Sequence, residues 1–106
     1  MKKVSGLTGA ELDYAVAALE GRTYGLPGTI HAFSPSTKWA QGGPIIEREN
    51  IVLNPQYPTW ASTMRHAVST PNTLSLIYNG PTPLIAAMRC YVASKLGNTI
   101  NLEELE

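Results

Sequence analysis

The residues best equipped for chemistry cluster between Phe33 and Glu49. Ser36 and Thr37 supply hydroxyls, Lys38 a positive charge, Trp39 a flat aromatic face and Gln41 an amide. Gly42 and Gly43 let a ligand come close to the backbone. This mixture suits a ligand that is flat at one end and polar at the other. Trp39 can stack on a base, and the hydroxyls and backbone N–H groups can hold phosphate or ribose oxygens. The competing reading is an ordered loop whose Trp39 plugs the core, since large aromatics are mostly buried. Thr82 and Arg89 are further contributors: a hydroxyl at a helix start, and a cation on a different helical face from Leu84 and Leu96, open to an anion or to solvent.

Other chemistries find less support. His31, His66 and Cys90 are scattered, and no two have the spacing of metal ligands, so no metal and no cofactor is expected. Cys90 sits mid-helix beside apolar residues, which suits an inert core thiol. Glu47 and Glu49 flank Arg48, and on a helix they point about 200° apart; a carboxylate pair working on one substrate must converge on it. No nucleophile elbow or Ser-His-Asp order is present. The Gly42-Gly43 pair lacks the Gly-Lys-Ser/Thr ending of a phosphate loop. No catalytic residues are assigned, and the chain is expected not to be an enzyme.

These side chains need elements to position them. Thr8 to Glu11 has the spacing of a capping box, and Leu12, Ala15, Val16 and Leu19 line one face of a helix predicted over Gly9 to Glu20, with Gly21 as its left-handed end. A short extended segment precedes it. Gly25 to Gly28 forms a turn, and Thr29 to Phe33 suits a short strand. Between Ser34 and Pro44 the chain is dense in turn formers, with one helical turn near Lys38 to Gln41 and a second short helix beginning at Pro44. Ile51 to Leu53 and Thr59 to Arg65 read as strands, separated by a loop over Asn54 to Pro58. Ser69 to Asn72 reads as a turn, and Thr73 to Tyr78 as a strand returning antiparallel. Thr82 is then an N-cap and Pro83 a first helical residue. Leu84, Ile85, Met88, Tyr91, Val92 and Leu96 give that closing helix an apolar face, Lys95 suits its last turn and Gly97 ends it. An acidic tail follows, with Ile100 and Leu102 packed down.

The 106 residues suit one domain, 1–106. Its expected class is α+β: an N-terminal helix, a small antiparallel sheet of three to four strands, and a long C-terminal helix packed on the sheet. Eight basic and eight acidic residues leave no net charge, so no nucleic-acid partner is expected, because phosphate neutralisation dominates such binding. A small anion needs only one or two cations. Apolar stretches are too short to span a membrane, and a lone cysteine with no signal peptide points to the cytoplasm. A sheet covered on one side only leaves a face for self-association, so a homo-oligomer is expected.

Three runs resemble one family. Pro35 to Glu49 looks like the central motif of the NinX-like phage proteins, Gly80 to Gly97 like their C-terminal motif, and Leu7 to Asp13 followed by Ala15 to Ala17 like their opening. The resemblance implies a lambdoid phage or prophage origin and a bacterial host cytoplasm. It implies no activity and carries over no catalytic residue. By analogy of lifestyle, small phage proteins often counter host defences, and some sequester nucleotide signals. The leading expectation is therefore non-catalytic sequestration of a nucleotide-like small molecule. The alternative is a protein-interaction module that inhibits a host or phage enzyme. A further expectation is spatial: the Trp39 segment and the start of the last helix should meet, and the ligand site should lie there.

Overall fold

The computed structural model describes residues 2–21, 33–64 and 76–101. The expected turns at 25–28 and 69–72, most of the strand at 29–33, both histidines and Leu102 fall outside them. Strand β1 (Lys2–Lys3) leads through a 3-10 turn, Val4–Gly6, into helix α1 (Gly9–Leu19). Thr8 occupies the N-cap position, but its side chain makes no cap bond. Glu11 instead meets Lys2 at 2.5 Å, so the expected capping box is replaced by an ion pair to the preceding strand. Gly21 adopts φ +73°, the left-handed conformation expected after the helix.

The central segment corrects the sequence reading. In place of turns and two short helices there is one helix, α2 (Trp39–Glu49), with Gly42, Gly43 and Pro44 inside it. Pro44 cannot donate to the carbonyl of Ala40. Both residues are exposed, so water can take that carbonyl. Gly42 serves close packing. A Cβ there would stand 2.5 Å from the Pro35 carbonyl oxygen and 2.6 Å from Leu84 Cδ2. Gly42→Ala should therefore destabilise the fold by up to about 2 kcal/mol in thermal or urea unfolding, because overpacking costs about 1–3 kcal/mol and the gain in helix propensity returns about 1 kcal/mol. Gly43→Ala, whose Cβ would meet only Trp39 Cε3 at 4.0 Å, should not.

Strands β2 (Ile51–Gln56), β3 (Thr59–Met64) and β4 (Leu76–Gly80) form an antiparallel sheet in the order β2-β3-β4. Strand β2 runs through the segment expected to be a loop, and a two-residue turn at Tyr57-Pro58 joins it to β3. Pro55 is tolerated because β2 is an edge strand, where a missing N–H breaks no ladder. In register, Leu53, Ser62 and Tyr78 share one face and Val52, Thr63 and Ile77 the other. Helix α3 (Pro83–Leu96) covers the first of these faces, where the buried Ser62 hydroxyl lies 2.6 Å from the Ala86 carbonyl and 2.9 Å from that of Tyr78. Its single proton serves one of them at a time.

The start of α3 is as expected. Thr82 Oγ accepts the Ile85 N–H at 3.2 Å, and Pro83 is the first helical residue. Burial spreads beyond the expected face: Ala86 through Ala93 are all buried, whereas Leu96 is exposed at the far end. A helix buried on every side is a central one. The sheet packs against it, and α1 and α2 pack on it as well. Val4, Leu12, Val16, Ile45, Met88 and Val92 lie in the resulting core. Gly97 (φ +91°) ends the helix, and β5 (Thr99–Ile100) pairs with β1, burying Ile100. The architecture is the expected α+β, with a three-stranded sheet and a separate two-stranded ribbon.

Candidate functional site

The residues singled out in the sequence fall into two places. Around the start of α2, a turn is closed by the Thr37 and Lys38 N–H groups donating to the Ser34 carbonyl. Ser36 is buried; its N–H donates to Asp13 Oδ1 at 2.9 Å, and its hydroxyl has no partner among the described residues. The Thr37 hydroxyl donates to the Ser34 carbonyl at 3.3 Å. Gln41 Oε1 accepts the Ser34 N–H. These bonds pin the turn to α1 and α2. Lys38 and Trp39 face outward, Trp39 at 54% exposure, so the indole neither plugs the core nor lies among the residues lining a described cavity.

The second place is at the junction of β4 and α3. An open cavity of about 360 Å³ is lined by Ser5 and Thr59, by the run 77–81, and by Arg89; Ser5, Thr59, Ile77, Asn79 and Pro81 are exposed. Arg89 is 8% exposed. Its Nε donates to the Leu7 carbonyl at 2.9 Å and its Nη1 to the Asn79 carbonyl at 2.8 Å. Arg89 thus joins the N-terminal segment to β4 across α3. Burial lowers its pKa from the ordinary arginine value, and no ion pair offsets that burial among the described residues. A buried guanidinium without a counter-charge costs stability unless something else holds it there. Gly80 shapes the same wall, since a Cβ would stand 2.6 Å from the Ala86 nitrogen.

Leu84, in the first turn of α3, packs its side chain at Gly42 beside the Pro35 carbonyl, and neither residue lines the cavity. The expected meeting of the two segments is therefore present, and Leu84 and Gly42 make it. Thr82 stands next to Pro81 of the cavity wall, with its oxygen engaged as the helix cap. The sequence pointed to Arg89, to Tyr78 as an aromatic wall or core residue, and to Gly80 and Pro81 as part of the C-terminal motif, but not to Ser5, Thr59, Ile77 or Asn79.

A model of one protein family, described as bacteriophage P22 NinX, matches residues 3–95. That range holds the opening motif, the whole central motif and the C-terminal motif through Lys95. The chain belongs to the NinX family. No curated protein matches it. In this NinX-family chain the matched range includes every described residue lining the cavity as well as the α2 turn.

A third cluster in the same chain is structural. Arg48 donates to both Glu20 oxygens at 3.0 and 2.8 Å and to Glu49 at 2.9 Å, and its guanidinium lies 5.8 Å from the centre of the Tyr91 ring. Tyr91 donates to Glu20 at 2.6 Å, and Lys95 reaches Glu49 at 3.4 Å. The group ties α1, α2 and α3 together. Burial first, then the bond to Glu20, raises the Tyr91 pKa, so the phenol stays protonated. The Arg48 bond holds Glu49 below the ordinary carboxylate value. A depressed carboxylate stabilises the fold above its unfolded-state pKa of about 4.3, and the contribution fades as pH falls through the lower folded value. The acid limb of a melting-temperature profile should therefore be shallower in Glu49→Gln, by no more than about 1 kcal/mol for a partly exposed pair. Burial pushes the Cys90 thiol up to about 11, which suits an inert core residue.

Among the described residues no three potential metal ligands converge, and no helix is long and apolar enough to cross a membrane.

Proposed function

We propose that this NinX-family chain binds a small, anionic, nucleotide-like molecule in the β4–α3 cavity and holds it without converting it. One observation carries the reading: a buried arginine, unpaired with any carboxylate among the described residues, lines a cavity of ligand size. Known ligand pockets run from about 300 to 1,000 Å³, so 360 Å³ suits a body no larger than a mononucleotide. Ser5, Thr59 and Asn79 offer neutral hydrogen bonds, and Tyr78 and Pro81 offer flat or apolar walls. The described lining holds no carboxylate, imidazole or thiol to act as a base near neutral pH, and burial raises the Tyr78 pKa further. Binding without turnover fits that set. Sequestering a nucleotide signal used in host defence is the role this chemistry would serve in a phage.

Calorimetric titration of the pure chain with a panel of linear and cyclic mononucleotides tests the proposal. Saturable binding is expected, and the ligand recovered afterwards should have its original mass. No heat from any panel member at millimolar concentration would sink the reading, and a cleaved ligand would sink its non-catalytic half.

Exposed apolar side chains favour a second reading, a protein-interaction surface. Ile77 is 62% exposed in a cross-strand row with Val52 and Thr63, on the sheet face opposite α3, and Tyr57 stands fully out at the β2–β3 turn. This face would carry a homo-oligomer contact or grip a host enzyme. Ile77→Lys should then lower the mass seen by sedimentation, or abolish a stoichiometric complex captured from host lysate.

A further inference from the structure

We infer that β4 is a pairing edge, through which two copies of this chain join strand against strand into one continuous sheet. This deepens the self-association reading above, on which it rests, and names the contact. The direction of the β4 main chain leads there. Ser62 of β3 bonds the Tyr78 carbonyl, so that carbonyl faces β3. Opposed residues of an antiparallel pair alternate between exchanging main-chain bonds and turning away from each other. Tyr78 is opposed to Ser62, so its neighbours Ile77 and Asn79 turn their N–H and C=O groups to the open side. Two further observations agree. Arg89, which is not part of the sheet, takes the Asn79 carbonyl. Carried through the register to β2, the same alternation turns Pro55 outward, the side on which a missing N–H breaks no ladder.

The remaining outward groups, the Ile77 N–H and C=O and the Asn79 N–H, have no partner among the described residues. A row of open strand donors and acceptors is completed by another strand. Native edges are commonly blunted by charge or proline. β2 has Pro55, whereas the Leu76–Gly80 strand has neither. That strand also matches itself. About a two-fold axis at Tyr78, Ile77 of each copy lies opposite Asn79 of the other, and each such pair exchanges both main-chain bonds. The Asn79 carbonyl can keep Arg89 as well, because its oxygen has two lone pairs. Tyr78 stands directly opposite its own copy, and the two Ile77 side chains become diagonal neighbours on the open face. The exposed row of Val52, Thr63 and Ile77 thereby continues into the second copy. No like charges meet across the strands, and a two-fold contact closes at two copies. So small a contact makes a weak, concentration-dependent dimer. Ile77 and Asn79 also line the cavity, so a second copy and a cavity ligand compete for this edge.

Sedimentation equilibrium of the ligand-free full chain, from low micromolar to millimolar concentration, tests the inference. The mean mass should climb with concentration toward that of two chains. Asn79→Pro deletes an outward N–H and leaves the β3 ladder whole. It should weaken self-association by about tenfold or more, since each copy loses a main-chain bond and leaves an acceptor unpaired. Asn79→Ala changes the side chain but keeps the N–H, and should pair as the parent does. Hydrogen exchange on the parent needs no variant: the Ile77 and Asn79 amides should slow as the mass rises. A mass of one chain at every concentration overturns the inference, together with the homo-oligomer half of the reading beneath it. A dimer that survives in folded Asn79→Pro but is lost in Ile77→Lys overturns edge pairing alone and leaves the sheet-face contact standing. Slowing of the two amides only after host lysate is added also overturns it, in favour of a foreign strand.

Discussion

Gly80→Ala should destabilise the fold by about 3 kcal/mol, at the upper end of what overpacking a core costs. The new Cβ would stand 2.6 Å from the Ala86 nitrogen, 3.0 Å from its Cα and 3.1 Å from Ile85 Cγ2. Two of those three atoms are helix backbone and cannot swing aside as a side-chain tip can. Relief would require α3 to lift from β4 at the turn capped by Thr82, which also loosens the seat of Ser62 beneath Ala86. In a domain of this size that loss corresponds to a fall in melting temperature on the order of 15 °C, readable by circular dichroism. Gly6→Ala is the control. Nothing lies within 4 Å of a Cβ there, so its melting temperature should stay near that of the parent. A Gly80→Ala protein that melts with the parent would mean that β4 and α3 are not packed as described.

Arg89→Met should abolish ligand binding, at least about a hundredfold, while costing the fold no more than about 2 kcal/mol. The two effects separate because opposing terms act on stability. Losing Arg89 leaves the buried Leu7 carbonyl and that of Asn79 without their donor, and an unsatisfied buried group costs about 1–3 kcal/mol. Removing the guanidinium also removes a desolvation penalty of several kcal/mol that no carboxylate repays. Methionine keeps most of the apolar stem in place. For the ligand there is no such compensation, since the cavity's described lining has no second cation. Arg89→Lys should fall between, keeping the charge but not the planar fork. Near-parental binding by Arg89→Met, with its fold intact by circular dichroism, would remove Arg89 from the site.

Local chemistry was readable in the sequence, and long-range packing was not. Thr82 and Pro83 announce a helix start through bonds made within one turn, so that boundary is correct. Gly42, Gly43 and Pro44 read as turn formers because propensity assigns them to turns. At Gly42 the glycine answers instead to the close approach of Pro35 and Leu84, the latter 42 positions along the chain. Likewise Asn54 and Pro55 suggest a loop until β3 is there to pair with them. Arg89 shows both sides. Its type and its place off the Leu84 face marked it as a possible anion partner. Its acceptors are backbone carbonyls of Leu7 and Asn79, which no side-chain pattern reveals. The indole of Trp39, chemically the most suggestive group in the sequence, stands in solvent.

That leaves two places for a ligand to sit, the arginine cavity and the exposed Trp39 segment, and nuclear magnetic resonance separates them. The labelled chain is titrated with the tightest-binding mononucleotide while backbone amide and arginine Nε–H signals are followed. The cavity predicts that the Arg89 Nε–H and the amides of Ser5 and of Ile77 through Gly80 move together and saturate, while Thr37 through Gly43 stay in place. Shifts centred on Lys38 and Trp39, with the Arg89 signal unmoved, would contradict it.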